Sequence, residues 1–224
     1  MSADFDTAEF ADNPEPRCPC VLLLDTSGSM EGDSINALNA GLVAFREELG
    51  KDEQALLRVE VAVVTFGDHA QVVQEFVTAG QFVPPTLAVS GQTPMAGGIN
   101  LALDLIEQRK LDYKANGVPY YRPWVFLITD GEPTDGNLWL QAAQRVHGME
   151  AGNKVSFYAV GVAGANMGTL ARIAPPSRPP VALDGLNYRD MFQWLSNSMS
   201  SVARAEIDAE VPLQAPIGWT KTQA

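Results

Sequence analysis

The segment Val21-Leu22-Leu23-Leu24-Asp25-Thr26-Ser27-Gly28-Ser29-Met30 decides how the rest of the chain is read. Its apolar residues predict a short strand, about Cys20 to Asp25, apolar at every position as a parallel strand covered on both faces must be. The chain then passes abruptly into carboxylate, hydroxyls and glycine. Asp25, Ser27 and Ser29 stand at alternate positions, so three hard oxygen donors follow one strand end. Donors of this kind suit magnesium, manganese or calcium rather than zinc or copper.

Downstream, Asp33-Ser34 marks a helix start, and Ile35, Leu38, Leu42, Phe45 and Leu49 form one apolar stripe that stops near Gly50. Gly41 inside that stripe points to a close approach of the helix to the sheet. Val59 to Phe66 is β-branched and predicts a second strand. The short turn Gly67-Asp68-His69 then forces the next strand, Gln71 to Val77, to run antiparallel at a sheet edge. Residues 78–92 predict a loop, and Thr93-Pro94 predicts a helix entrance with Thr93 as its cap. Residues 108–122 predict a polar, tyrosine-bearing connection. Further strands are expected at Trp124–Thr129, Val155–Val160 and Val181–Leu183, with helices at about Asn137–Ala151, Met167–Ala174 and Tyr188–Val202.

Alternation of this kind predicts an α/β fold: a single doubly wound, mainly parallel sheet with one antiparallel edge strand and helices on both faces. The domain spans 18–205, with an acidic flexible tail at 1–17 and a second tail at 206–224. If the strand order is 3-2-1-4-5-6, the strands ending in Asp25 and Asp130 are neighbours where the order reverses, the place where such sheets bind ligands. Adjacent strands lie about 4.8 Å apart, so two carboxylates at their ends can approach one ion. Thr93 opens a helix on the same edge. Asp25, Ser27, Ser29, Thr93 and Asp130 therefore form a candidate metal site. Two carboxylates and three neutral hydroxyls leave a cation electrophilic, ready to take a carboxylate from outside as its last ligand. That arrangement predicts a protein partner supplying Asp or Glu.

Asp25-Thr26-Ser27-Gly28-Ser29, the distant Thr93 and Thr129-Asp130-Gly131 resemble the von Willebrand factor type A (VWA) domain and its metal-ion-dependent adhesion site (MIDAS). The resemblance covers about residues 18–205 and implies a Rossmann-like fold holding Mg2+, with Mn2+ or Ca2+ as alternatives. Within the family, LLLDTSGSM, SGQTPMAGGI and ITDGEPTD look most like bacterial proteins of tellurium-resistance (TerY-like) gene clusters. That likeness implies a cytoplasmic adapter in stress signalling, beside a protein kinase and a PP2C-like phosphatase. A subunit of an AAA+ chelatase-like or remodelling complex is the alternative it leaves open.

Composition narrows the field further. A net charge of −12 argues against nucleic acid and anionic membrane surfaces as partners. No run approaches the roughly 20 apolar residues of a membrane span, and the acidic first residues lack a secretory pattern, so a cytoplasmic location is expected. Cys18 and Cys20 are expected as reduced thiols. Catalysis is not expected. Ser27 stands where a phosphoaspartyl phosphatase would carry a second Asp, and no phosphate-binding loop or nucleophile elbow is present. His69 is expected in a solvated turn, and neither it nor His147 has a recognisable catalytic partner. Glu132 and Asp135 are expected as a turn and a helix N-cap, a second cation site being the other reading. Tyr113, Tyr120 and Tyr121 could make an interaction patch on the face opposite the metal, and Trp219 is expected to tuck onto the domain or to serve as a short docking motif rather than to join the metal site.

Overall fold

Short runs that are apolar at every position have no solvated face, so they pair side by side and are covered above and below. The computed structural model describes residues 10, 12–162, 164–207, 211 and 220. The strands are β1 (Cys18–Asp25), β2 (Val59–Phe66), β3 (Ala70–Thr78), β4 (Trp124–Thr129), β5 (Ser156–Gly161) and β6 (Val181–Ala182). They form one sheet in the order β3-β2-β1-β4-β5-β6. Among these six strands only β2 and β3 pair antiparallel. The order and the antiparallel edge strand are those predicted.

The helices are α1 (Asp33–Leu49), α2 (Glu53–Arg58), α3 (Met95–Ala115), α4 (Leu138–Ala151), α5 (Met167–Ile173) and α6 (Tyr188–Arg204). On one face Leu38, Leu42 and Phe45 of α1 and Met191, Leu195 and Met199 of α6 pack on Leu22, Leu24, Val61 and Phe126. On the other, Ile99 and Leu103 of α3 and Val146 of α4 pack on Val21, Leu23, Val64 and Leu127. No described helix is long and apolar enough to cross a membrane.

Several expectations need correcting. Gly41 does bring a helix close, but to α6 rather than to the sheet. A Cβ there would lie 2.6 Å from Phe192 and 3.1 Å from Tyr188. Helix α2 was not anticipated, because six residues are too few to show a period; Asp52 caps it, accepting from the amides of Gln54 (3.0 Å) and Ala55 (3.2 Å). Helix α3 runs on to Ala115, through the first half of the expected 108–122 connection. One face of its polar last turns is buried, where Arg109 and Tyr113 both reach Glu60 of β2.

The same glutamate changes the reading of the N-terminal segment. Arg17 is fully buried and its Nε donates to Glu60 at 2.9 Å. Its backbone joins the 119–121 segment through Arg17 N to Pro119 O (2.9 Å) and Tyr121 N to Arg17 O (2.8 Å). Phe10 is buried, with the Arg109 guanidinium 4.8 Å from its ring centre. Residues 10 and 12–17 are therefore part of the domain; the remainder of the expected tail lies outside the described residues. Nor do the tyrosines form an exposed patch. Tyr113 and Tyr121 are buried, and Tyr120 is half-buried with its ring 5.2 Å from that of Tyr113. Tyr121 donates to the Ala203 and Ala205 carbonyls, tying down the end of α6. At the C-terminal side Thr220 bridges to Leu183, while Trp219 lies outside the described residues.

Candidate metal centre

Parallel pairing aligns β1 and β4 so that Leu24 stands beside Ile128. One residue further on, Asp25 comes level with Thr129 and the chain breaks at Asp130. The Thr129 hydroxyl donates to Asp25 Oδ2, and the Ser27 amide donates to Asp25 Oδ1 at 2.8 Å. Both oxygens of this buried carboxylate are thus fixed in direction. Residues Gly28–Met30 form a single 3-10 turn, which brings Ser27 Oγ within 3.0 Å of Ser29 Oγ. Ser29 Oγ in turn donates to Asp130 Oδ1 at 2.7 Å, joining the two strand ends.

Thr93 arrives on the 79–94 loop, which is sewn to the first loop by backbone bonds. Ser90 N donates to Thr26 O (2.7 Å) and Gly28 N to Gly91 O (3.2 Å). Gly91 makes that approach possible. Its φ is +63°, and a Cβ would sit 1.9 Å from Asp68 Oδ1. The site's own crowding shows at Gly131, where a Cβ would lie 3.1 Å from Thr93 Oγ1 and 3.5 Å from Asp25 Oδ2. Thr93 and Asp25 thus flank the same point. All five predicted residues converge on the carboxyl ends of β1 and β4.

The expected cap at Thr93 is absent. The residue preceding α3 is Pro94, without a side-chain cap, and the first-turn amide of Ala96 donates instead to Asp135 Oδ2 at 2.7 Å. Thr93 Oγ1 is therefore not consumed as a cap. Asp135 does act as a cap, though for α3 and not for its own helix α4. Glu132 is exposed and accepts from Asn166, whose own side chain caps α5. Sequence reasoning missed Thr129, although its place directly before Asp130 on a strand end was the available signal.

The electrostatics follow from burial. Desolvation pushes the Asp25 carboxyl above its ordinary range, against the lowering effect of its bonds to Ser27 and Thr129, and the Asp130 charge adds to the rise. Desolvation also raises Asp130, with the Ser29 bond opposing it. Beneath them Tyr188, the first residue of α6, is fully buried, and its hydroxyl is raised mainly by burial. Among the described residues neither Asp25 nor Asp130 makes an ion pair with a basic side chain. Two facing carboxylates without a countercharge, completed by hydroxyls, are a donor set that fits a hard divalent cation.

The von Willebrand factor type A domain model matches residues 20–190. The chain belongs to the von Willebrand factor type A domain family. Other VWA folds superpose on it at low identity. Proximal thread matrix protein 1 from the mussel byssus aligns at 17% identity and TM-score 0.58, over 84% of this chain and 49% of that one. The pilus adhesin SpaC from Lactobacillus rhamnosus GG aligns at 15% identity and TM-score 0.64, over 85% and 32%. The ArnB paralog VWA2 from Sulfolobus acidocaldarius aligns at 13% identity and TM-score 0.52, over 83% and 45%. The VWA chain described here thus spans about half the length of the mussel protein and a third of the adhesin. A further structure of the mussel protein has a zinc-occupied MIDAS motif, at 16% identity and TM-score 0.55 over 82% and 47%. No curated protein matches the chain in sequence.

The remaining titratable candidates lie elsewhere. Cys18 and Cys20 are buried free thiols, and burial pushes Cys18 up to about 12, so it is protonated at neutral pH. His69 is exposed in the β2–β3 turn, and a ring nitrogen of His147 bonds with the Ala174 carbonyl oxygen at 3.0 Å.

Proposed function

We propose that this VWA domain is a non-catalytic, metal-dependent protein-binding module. Asp25, Ser27, Ser29, Thr93 and Asp130 would hold Mg2+, or Mn2+ or Ca2+ in its place, and a partner's Asp or Glu would be the last ligand. The observation that carries the reading is the pair of buried carboxylates, linked through Ser27 and Ser29, that has no basic partner among the described residues. Such a pair is costly to keep charged unless a cation joins it. When bound, the ion supplies an electrophilic centre. The protein supplies the rest: Thr129 and the Ser27 amide orient Asp25, and Ser29 orients Asp130.

The loops around the site add a feature of the partner. Glu31, Asp33, Asp68, Glu132 and Asp184 are exposed on the segments that follow β1, β2, β4 and β6. A face so acidic favours a ligand carboxylate set among lysines and arginines. The signalling setting rests on the sequence likeness to tellurium-resistance proteins alone: a cytoplasmic adapter beside a kinase and a PP2C-like phosphatase. Pull-down against co-encoded proteins separates it from membership of an AAA+ complex.

The test is calorimetric titration with MgCl2 and MnCl2. Asp25→Ala should abolish uptake while leaving the circular dichroism nearly unchanged; equal uptake by the variant would sink the metal reading. Partner capture should vanish with EDTA and with Ser27→Ala, and persistence under both would rule out a metal bridge.

A further inference from the structure

Thr93 is the one member of the site that neither strand end carries, and its placement is held from a distance. Its amide donates to Thr134 Oγ1 at 2.9 Å, and Thr134 N donates back to Thr93 O at 2.9 Å. One turn on, Ala96 N donates to Asp135 Oδ2 at 2.7 Å. The backbone of Thr93 is thereby clamped on both sides, while its hydroxyl stays beside Gly131, at a point that Asp25 also flanks. Both clamping residues belong to the loop that begins with Asp130, so the clamp fixes the distance between two donor-bearing loops.

Charge matters as well as position. Helix α3 has 21 residues, and its amino end opens onto the metal face. That end carries the equivalent of about half a positive charge, which opposes a cation at the same edge. A carboxylate bonded to the first-turn amide offsets it.

We propose that Thr134 and Asp135 are positioning residues of the metal site: they hold Thr93 in place, and Asp135 also cancels the positive end of α3. The inference rests on the metal-binding reading and names the part of the chain that tunes its affinity.

Four variants test it against MgCl2 by calorimetry. Asp135→Asn keeps the shape and an acceptor but removes the charge, and should weaken magnesium binding about two- to fivefold, a deficit that shrinks with added salt. Asp135→Ala removes both and should cost about tenfold or more, with faster hydrogen exchange at the Ala96 amide in metal-free protein. Thr134→Val should weaken binding at an unchanged slope with salt, and Thr134→Ser should restore it. Equal affinity in all four, in a protein that does bind magnesium, overturns the clamp and leaves the metal reading standing. Uptake of neither magnesium nor manganese by the unsubstituted protein overturns both.

Discussion

Glu60→Ala is expected to be among the most destabilising single changes in this protein while leaving metal affinity untouched. The Glu60 side chain is fully buried and accepts from Arg17 Nε (2.9 Å), Arg109 Nε (2.9 Å), Arg109 Nη2 (3.0 Å) and the Tyr113 hydroxyl. Truncation takes from two buried guanidiniums the carboxylate they share. Removing one partner of a buried ion pair costs about 3–5 kcal/mol, a large share of the roughly 5–15 kcal/mol that holds a domain together. At about 2–4 °C per kcal/mol for a chain of this size, the thermal midpoint should fall by about 6–20 °C. Urea unfolding measures the same loss. Glu60 lies six residues before the carboxyl end of β2, about 20 Å along the strand from the metal face. The folded fraction should therefore titrate magnesium with the affinity of the unsubstituted protein. Deletion of residues 1–17 removes Arg17 and Phe10 and should destabilise in the same direction. A Glu60→Ala midpoint within about 0.5 kcal/mol of the original would refute the reasoning, and a deletion without effect would return residues 1–17 to the status of a tail.

Further outcomes concern the site and its supports. Thr129→Val deletes the donor to Asp25 Oδ2; it should cost about 1–3 kcal/mol in metal-free protein and weaken magnesium binding, and unfolding at unchanged midpoint would count against it. Gly41→Ala would place a Cβ 2.6 Å from Phe192. Overpacking of about 1–3 kcal/mol should outweigh the gain of about 1 kcal/mol in helix propensity, so a more stable variant would contradict the contact. The raised carboxyls of Asp25 and Asp130 give a pH dependence whose sign is fixed. Each holds its proton more tightly folded than unfolded. Its contribution to metal-free stability is therefore greatest in acid and is lost as pH rises from the unfolded through the folded value. A cation needs the deprotonated forms, so the magnesium-induced rise in thermal midpoint should grow as pH climbs through and above the ordinary carboxylate range. A rise constant over that range would argue that these carboxylates are not its ligands.

The central strands β1 and β4 were legible because each is a nearly unbroken apolar run, and the two carboxylates could be placed together because each follows such a run. The edge strand β3 was legible from its β-branched residues and the short turn before it. What the sequence hid was held by partners far along the chain. Arg17 looks like a solvated residue of an acidic segment until Glu60, 43 positions away, is seen to bind it. Asp135 looks like a cap for the helix that follows it, yet it caps one that begins 40 positions earlier, at Met95. Thr93 looks like a cap itself, and only Asp135's taking of that role leaves its hydroxyl for the site. A local window cannot separate these cases, because the residue types that cap helices are the same small oxygen donors that suit a hard cation. The separation comes from counting acceptors. With the Ala96 amide of the first turn of α3 satisfied by Asp135 and the Thr93 backbone held by Thr134, the Thr93 hydroxyl has no role in the helix, and its place beside Gly131, at a point that Asp25 also flanks, is what remains to be explained.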